Sequence, residues 1–301
     1  MHKILIIGGT TYDHIVYLPE FTQPIPQTIH RAAFHEMVGS TGSGKVLNLT
    51  ALGLDTVLYS IIGRDYYGEL IQSYLQMKGV NVVYDFDPKG TERHVNLMNQ
   101  QGERISIFVT QSSDTLQLDM DRIEQLIASC DLVILNIVAY TKQLIPLLLK
   151  HNKPIWTDLH DYDGQNAYHQ PYIDCCQWIF MSSDNLPDYK STMQEIMALG
   201  KELVVCTHGK GGATALTKRG EWIHQPIYDA YMLVDSNGAG DSFFSGYLFG
   251  HLRGYSVESC MRLGTLCAGL CITAKELVHP SLNKEMLLEA FEQCMAGDKH
   301  Q

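Results

Sequence analysis

The segment DSNGAGDSFFSGYLFGHLRG, from Asp235 to Gly254, sets a glycine-containing turn directly before an amphipathic helical pattern. Gly238, Ala239 and Gly240 bring lightly covered backbone N–H groups to the helix N-terminus. There the unpaired donors and the helix dipole favour an anion such as a phosphoryl group. Asp241 follows in the first turn, where a carboxylate can accept the proton of a hydroxyl attacking that phosphate. By local physics alone the commoner role for such a residue is a helix-capping Asp, so the chemistry stays open at this point.

A second segment, GSTGSGKV from Gly39 to Val46, matches the phosphate-binding loop pattern GxxxxGK[ST] in all but its last place. The missing hydroxyl matters, because the Ser or Thr after the Lys binds Mg²⁺ and Val46 cannot. The preceding RAAFHEMV is also less apolar than the buried strand such a loop should follow. Lys45 is therefore read as a solvated helix residue, with a phosphate or substrate contact as the lesser alternative. Asp158 ends an apolar run at what would be a sheet's C-terminal edge, where a capping or turn role outweighs a pocket role. Among the 13 histidines, His35, His160, His208, His251 and His279 share no ligand spacing. The 8 cysteines contain no CxxC pair or zinc-type spacing. Cys267 and Cys271, four apart on a predicted helix, read as core packing.

The elements that must position these groups alternate. Short apolar runs at Lys3–Ile7, Thr56–Ile62, Leu132–Asn136, Pro154–Asp158, Trp178–Met181 and Leu203–Thr207 read as buried strands. Helical patterns cover Gly44–Leu52, Gly68–Lys78, Met120–Ser129, Thr141–Lys150 and Ser191–Leu199, followed by Gly240–Arg253, Val257–Lys275 and Asn283–Ala296. This order implies βαβ units and a doubly wound, mostly parallel sheet with helices on both faces, an α/β fold. Two stretches break the rhythm, residues 11–37 and 84–110, the second alternating through HVNLMNQQGERISIFVT with a hairpin turn at QQGER. They predict a small β-sheet lid over a cleft. Without repeats or linker-like stretches, residues 1–301 read as a single domain.

The Asp235–Gly254 segment resembles the DTxGAGD signature of the ribokinase-like (PfkB) family, with Ser236 and Asn237 in the variable places. The resemblance extends over nearly the whole chain in the family's order. It implies a kinase in which Asp241 is the general base and Gly238, Ala239 and Gly240 form an anion hole. GGTTYDHIVYLP places Asp13 where the family has an early Asp that binds substrate hydroxyls. GSTGSGKVLNLTALG resembles the first family signature, so Gly39, Ser40, Thr41 and Gly44 are carried over as substrate-binding positions. In that register Ser40 replaces the second glycine and Gly44 replaces the usual Asn. VVCTHGKGGATAL resembles the strand and turn bordering the nucleotide, with Thr207, Gly209 and Gly212 as ATP contacts. LGTLCAGLCITAKE resembles the helix flanking the adenine, with Thr265 where Asn is common. At WIFMSSDNLPDY the family's metal-associated Asn and Glu are replaced by Ser183 and Leu186, which leaves Asp184 as the substitute Mg²⁺ residue. ATP and Mg²⁺ are the implied cofactors, and a monovalent cation is left open.

The bulk properties agree with a small-molecule enzyme. A formal net charge of -11 without a basic cluster argues against a nucleic-acid partner. No apolar run reaches the roughly 18 residues of a membrane span, and the start MHKILIIGG is too short for a signal peptide, so a cytoplasmic protein is expected. The expected acceptor is a sugar, then a nucleoside, then another alcohol. A nonenzymatic sugar or nucleoside sensor on the same fold is the alternative, and Asp241 argues against it. A lid sheet with one apolar face invites association, so a homodimer through the lid is expected.

Overall fold

A computed structural model describes residues 2–297. The chain opens with β1 (Lys3–Ile7), β2 (Thr11–Tyr17), β3 (Ala33–Gly39) and α1 (Thr41–Ala51). It continues through β4 (Asp55–Ile62), α2 (Tyr66–Met77), β5 (Asn81–Phe86), β6 (Arg93–Met98), β7 (Arg104–Thr110) and α3 (Met120–Ser129). Then come β8 (Leu132–Leu135), a 3₁₀ turn at Ala139–Leu144, α4 (Ile145–His151), β9 (Ile155–Asp158), α5 (Gln170–Cys175), β10 (Trp178–Ser182) and α6 (Tyr189–Ala198). The last part holds β11 (Leu203–Thr207), β12 (Ala213–Thr217), β13 (Trp222–Gln225), α7 (Ala239–His251), α8 (Val257–Cys271) and α9 (Lys284–Gly297).

The large sheet has nine strands in the order β13-β12-β11-β10-β9-β8-β1-β4-β5. Neighbours from β11 to β5 run parallel, and β12 and β13 add an antiparallel hairpin at one edge. Successive strand residues feed opposite layers, as the pleat requires. Ile4, Ile6, Leu58, Ile134, Phe180 and Val205 pack under α1, α7 and α8, while Leu5, Ile7, Val57, Val133, Ile179 and Val204 pack under α3 to α6. Burial on both faces explains why these strands read as unbroken apolar runs.

The strand order reverses at β1, which lies between β8 and β4. In open α/β sheets ligands bind beyond the carboxyl ends of the strands at such a point. A separate four-stranded sheet, β3-β2-β6-β7, forms the lid. Its strands cover residues 11–39 and 93–110, so the predicted lid segment beginning at residue 84 is corrected. Tyr84–Phe86 end β5, which pairs in parallel with β4 in the large sheet. As the edge strand, β5 is only half-buried, so it lacks the unbroken apolar run of the central strands.

Candidate active site

Gly238 adopts the left-handed conformation (φ 80°) and starts α7, which delivers Asp241 in its first turn. Of the proposed anion hole, the Ala239 N–H closes the turn onto the Ser236 carbonyl at 3.2 Å. The space beside Gly240 is open, with no atom within 4 Å of where a side chain would begin. The helix end around Gly240 therefore offers the room and the donors for an anion. Asp241 itself is 7% exposed.

Lys45 corrects the sequence reading. It is 0% exposed, and its Nζ lies 2.5 Å from Asp241 Oδ1 and 3.2 Å from Asp158 Oδ2. The cause is α1, whose residues from Gly42 to Leu49 are all buried. A helix enclosed all round leaves its single Lys no route to water. The ammonium also lies 5.0 Å from the centre of the Phe244 ring. Burial works against its charge, but Asp241 and Asp158 outweigh that penalty and push the Lys45 pKa up. Burial pushes the Asp241 carboxyl up from its ordinary value, opposed by Lys45 and by His160. For Asp158 burial pushes the same way, but His160 and Lys45 prevail and hold its carboxyl down to about 2. Asp158 Oδ1 also accepts the backbone N–H of His160 at 3.0 Å.

Asn48, one turn beyond Gly44, ties this centre together. Its amide donates to the carbonyls of Gly44 at 2.8 Å and Leu277 at 3.1 Å, while its Oδ1 accepts from Ser242 Oγ at 3.1 Å. The helix carrying Lys45 is thereby fastened to the helix carrying Asp241.

Of the positions expected to bind substrate, Gly39 lies against a second carboxylate, Asp13, while Gly44 lies against Asp241. Asp13, on β2, accepts from Thr11 Oγ1 at 2.7 Å and from Asn96 Nδ2 at 3.1 Å, with His94 Nδ1 at 3.6 Å. Burial pushes its carboxyl up, against the pull of His94 and Thr11. Gly39 and Gly44 are both set by close approach. A Cβ at Gly39 would fall 2.2 Å from Asp13 Oδ2, and one at Gly44 would fall 2.2 Å from Asp241 Oδ2. Between them Ser40 caps α1 at φ 73° and ψ 155°, a backbone region almost reserved for glycine. Holding Ser there costs about 1–3 kcal/mol. Thr41 Oγ1 accepts from Asn136 Nδ2 at 3.0 Å, at the carboxyl end of β8.

Of the positions expected to border the nucleotide, Thr207, Gly209 and Gly212 lie at and just beyond the carboxyl end of β11, beside that of β10. The Thr207 carbonyl accepts from Ser183 N–H at 2.9 Å, which places Asp184 beside it, exposed. Gly209 and Gly212 close a tight turn through Gly212 N–H to the Gly209 carbonyl at 3.1 Å. Thr265 is buried on α8 and donates its hydroxyl to the Met261 carbonyl at 3.0 Å. Leu186, at the family's Glu position, is buried in the core. Among the described residues no group of three or more His, Cys, Asp or Glu could hold a metal ion.

His94, Asn96 and His160 went unread as site residues in the sequence, and Lys45 reads there as a solvated residue first and a phosphate or substrate contact second. His94 and Asn96 did carry a signal, since their alternation in HVNLM puts both on one face of β6, opposite Asp13.

The sequence pattern of the pfkB family carbohydrate kinases matches residues 1–284. The acarbose 7(IV)-phosphotransferase of Actinoplanes sp. is 30% identical over 294 residues, covering 95% of this chain and 97% of that protein. The nucleoside kinase of Methanocaldococcus jannaschii is 21% identical over 91% of this chain and 92% of its own length. Among solved structures, a microbiome-derived acarbose kinase superposes with a TM-score of 0.86 at 25% identity, covering 97% of this chain and 99% of that one. The ribokinase of Giardia lamblia shares the fold, with a TM-score of 0.83 at 16% identity over 97% and 99% of the two chains. With the family pattern spanning almost the full length, and a ribokinase fold that sets an aspartate behind an open helix end, the chain belongs to the PfkB carbohydrate kinases, phosphotransferases to an alcohol acceptor.

Proposed function

We propose that the chain transfers the γ-phosphoryl group of ATP to a hydroxyl of a sugar, with Asp241 as the general base. The observation that carries this reading is the Asp241 carboxylate, all but buried in the first turn of α7, next to open space at Gly240. As the acceptor oxygen bonds to phosphorus, its proton passes to Asp241, and the bond from phosphorus to the β,γ-bridging oxygen breaks to release ADP. The protein's part is positioning and charge stabilisation. Gly240 and the free end of α7 face the developing negative charge. Thr207, Gly209, Gly212 and Thr265 border the nucleotide in this reading. Asp184 is the residue that would support a Mg²⁺ ion, which would supply charge neutralisation at the phosphates.

On the acceptor side Asp13, Asn96 and His94 supply an acceptor, a donor and a ring nitrogen, a set suited to sugar hydroxyls. A sugar-like acceptor is also favoured by the 30% identity to an acarbose phosphotransferase over nearly both full lengths. The open space left by Gly44 in place of the family's Asn is filled by Asp241 itself, so acceptor contacts fall more heavily on the lid.

The test is ADP formation with acarbose, ribose and adenosine as acceptors. We expect turnover with a sugar and a drop of roughly 10²–10⁴-fold in Asp241→Asn, with substrate binding and melting temperature little changed. Turnover within threefold of wild type would sink the base assignment. Ligand binding by wild type without any ADP formation would make the protein a sensor.

A further inference from the structure

Lys45 is fully enclosed, while Asp241 keeps a small exposed edge. The ammonium therefore meets no ligand in the cleft, and it contacts the reaction only through the carboxylates. It lies between Asp241 and Asp158, with α1 locked to α7 through Asn48. The groups facing Asp241 from each packed element are Lys45 of α1, Asp158 and His160 at the end of β9, and Cys271 of α8. Two carboxylates thus share one internal ammonium, and the His160 ring sets its Nδ1 3.6 Å from Asp158 Oδ1.

We propose that Lys45 is a positioning residue for Asp241, orienting its carboxylate and keeping it ionised, and that Asp158 moderates this by drawing on the same ammonium. This rests on Asp241 being the base. If Lys45 alone held Asp241, the carboxylate would be charged but poorly basic, since its negative form would be stabilised by one full partner. Shared with Asp158, the ammonium gives each carboxylate only part of that stabilisation. Asp241 is left ionised in the resting enzyme and still able to take a proton when the acceptor hydroxyl attacks. The phosphate-loop resemblance of GSTGSGKV is thus a coincidence of sequence. Its Lys serves a carboxylate, with Gly44 beside it making room for that carboxylate.

The arrangement predicts shifts of opposite sign, which a merely structural Lys would not produce. The measurement is the ionisation of Asp241, followed by the ¹³C resonance of its side-chain carboxyl in selectively labelled protein and assigned with Asp241→Asn. In Lys45→Met the midpoint should rise by about 1–3 pH units, the range for loss of an adjacent opposite charge. In Asp158→Asn it should fall, because a like charge is gone and Lys45 turns wholly to Asp241. Once an acceptor is in hand, the acid limb of kcat/KM should move the same way in each variant. An Asp241 midpoint unmoved in a folded Lys45→Met overturns the proposal. Should that variant fail to fold, Asp158→Asn decides alone, and a midpoint unmoved or raised there overturns it. The titration needs no substrate. Loss of the base assignment, seen as undiminished turnover in Asp241→Asn, would therefore register separately from loss of the charge arrangement.

Discussion

Gly39 and Gly44 do the same work for two different carboxylates, each leaving room where a single methyl group would strike an oxygen at 2.2 Å. Gly44→Ala should therefore displace Asp241 from behind the open helix end while leaving the backbone of α1 able to form, since Ala is the better helix former. A displacement of about 1 Å can cost on the order of 10²-fold in rate, and we expect at least that loss in kcat. The overpacking should cost about 1–3 kcal/mol of stability. Steady-state kinetics and a melting curve on one sample check both, and kcat within threefold of wild type would show that the carboxylate adapts. At this scale the sequence displayed Asp241 and the glycines through their motif spacing. It hid Lys45, because a Lys among GSTG and VLNL looks solvated until the enclosure of α1 is known. Much of that enclosure comes from α7, which is remote in sequence.

The lid is fastened to the turn that begins the anion site. Tyr17 of β2 donates its phenol to Asp235 Oδ2 at 2.6 Å, and Asp235 Oδ1 accepts the Asn237 N–H at 2.8 Å. Ser236 Oγ donates to the Gly102 carbonyl at 3.0 Å in the lid hairpin, and Arg104 donates to Asn237 Oδ1 at 3.2 Å. The two residues in the variable places of the signature, Ser236 and Asn237, are thus the ones that grip the hairpin. Tyr17→Phe leaves Asp235 short of a partner, at about 1–3 kcal/mol for a buried acceptor, and that cost falls on the docked lid. We expect a KM for the acceptor raised at least fivefold and faster hydrogen exchange in β2 and β6. Unchanged KM and exchange together would mean that the remaining contacts hold the lid unaided. The alternation of β and α was legible because buried parallel strands are apolar throughout. The helix expected over Thr141–Lys150 is instead a 3₁₀ turn followed by α4, because Pro146 near the start of α4 lacks the N–H a continuous helix would need. Short β12 and β13 extend the sheet past β11, where GGATAL carried only a turn signal in the sequence.

Across the whole molecule, the outer face of the lid remains apolar and uncovered. Phe34 is 59% exposed, Val109 53%, Ile107 47% and Ile105 44%. The strand registers put Ile105 and Ile107 on one face of β7, opposite to the face that carries Phe108 against His94, with Val109 at a register irregularity beyond them. β7 is also an edge strand, with one side of its backbone unpaired. An apolar face next to an open edge favours a second lid as its cover, so we expect a homodimer joined lid to lid. Each copy carries a formal charge of -11, so association works against repulsion and should tighten as salt screens it. Sedimentation from low to high micromolar concentration, at two ionic strengths, measures both features. Ile107→Lys places a charge in the centre of the apolar stripe and should yield a monomer with an unchanged melting profile at low concentration. A wild-type chain that stays monomeric over that range would show that the lid face serves some other contact. Because the same sheet holds Asp13 on its inner face, a dimer would also restrict lid opening. The Ile107→Lys monomer should then show a higher KM for the acceptor, in the direction expected for Tyr17→Phe.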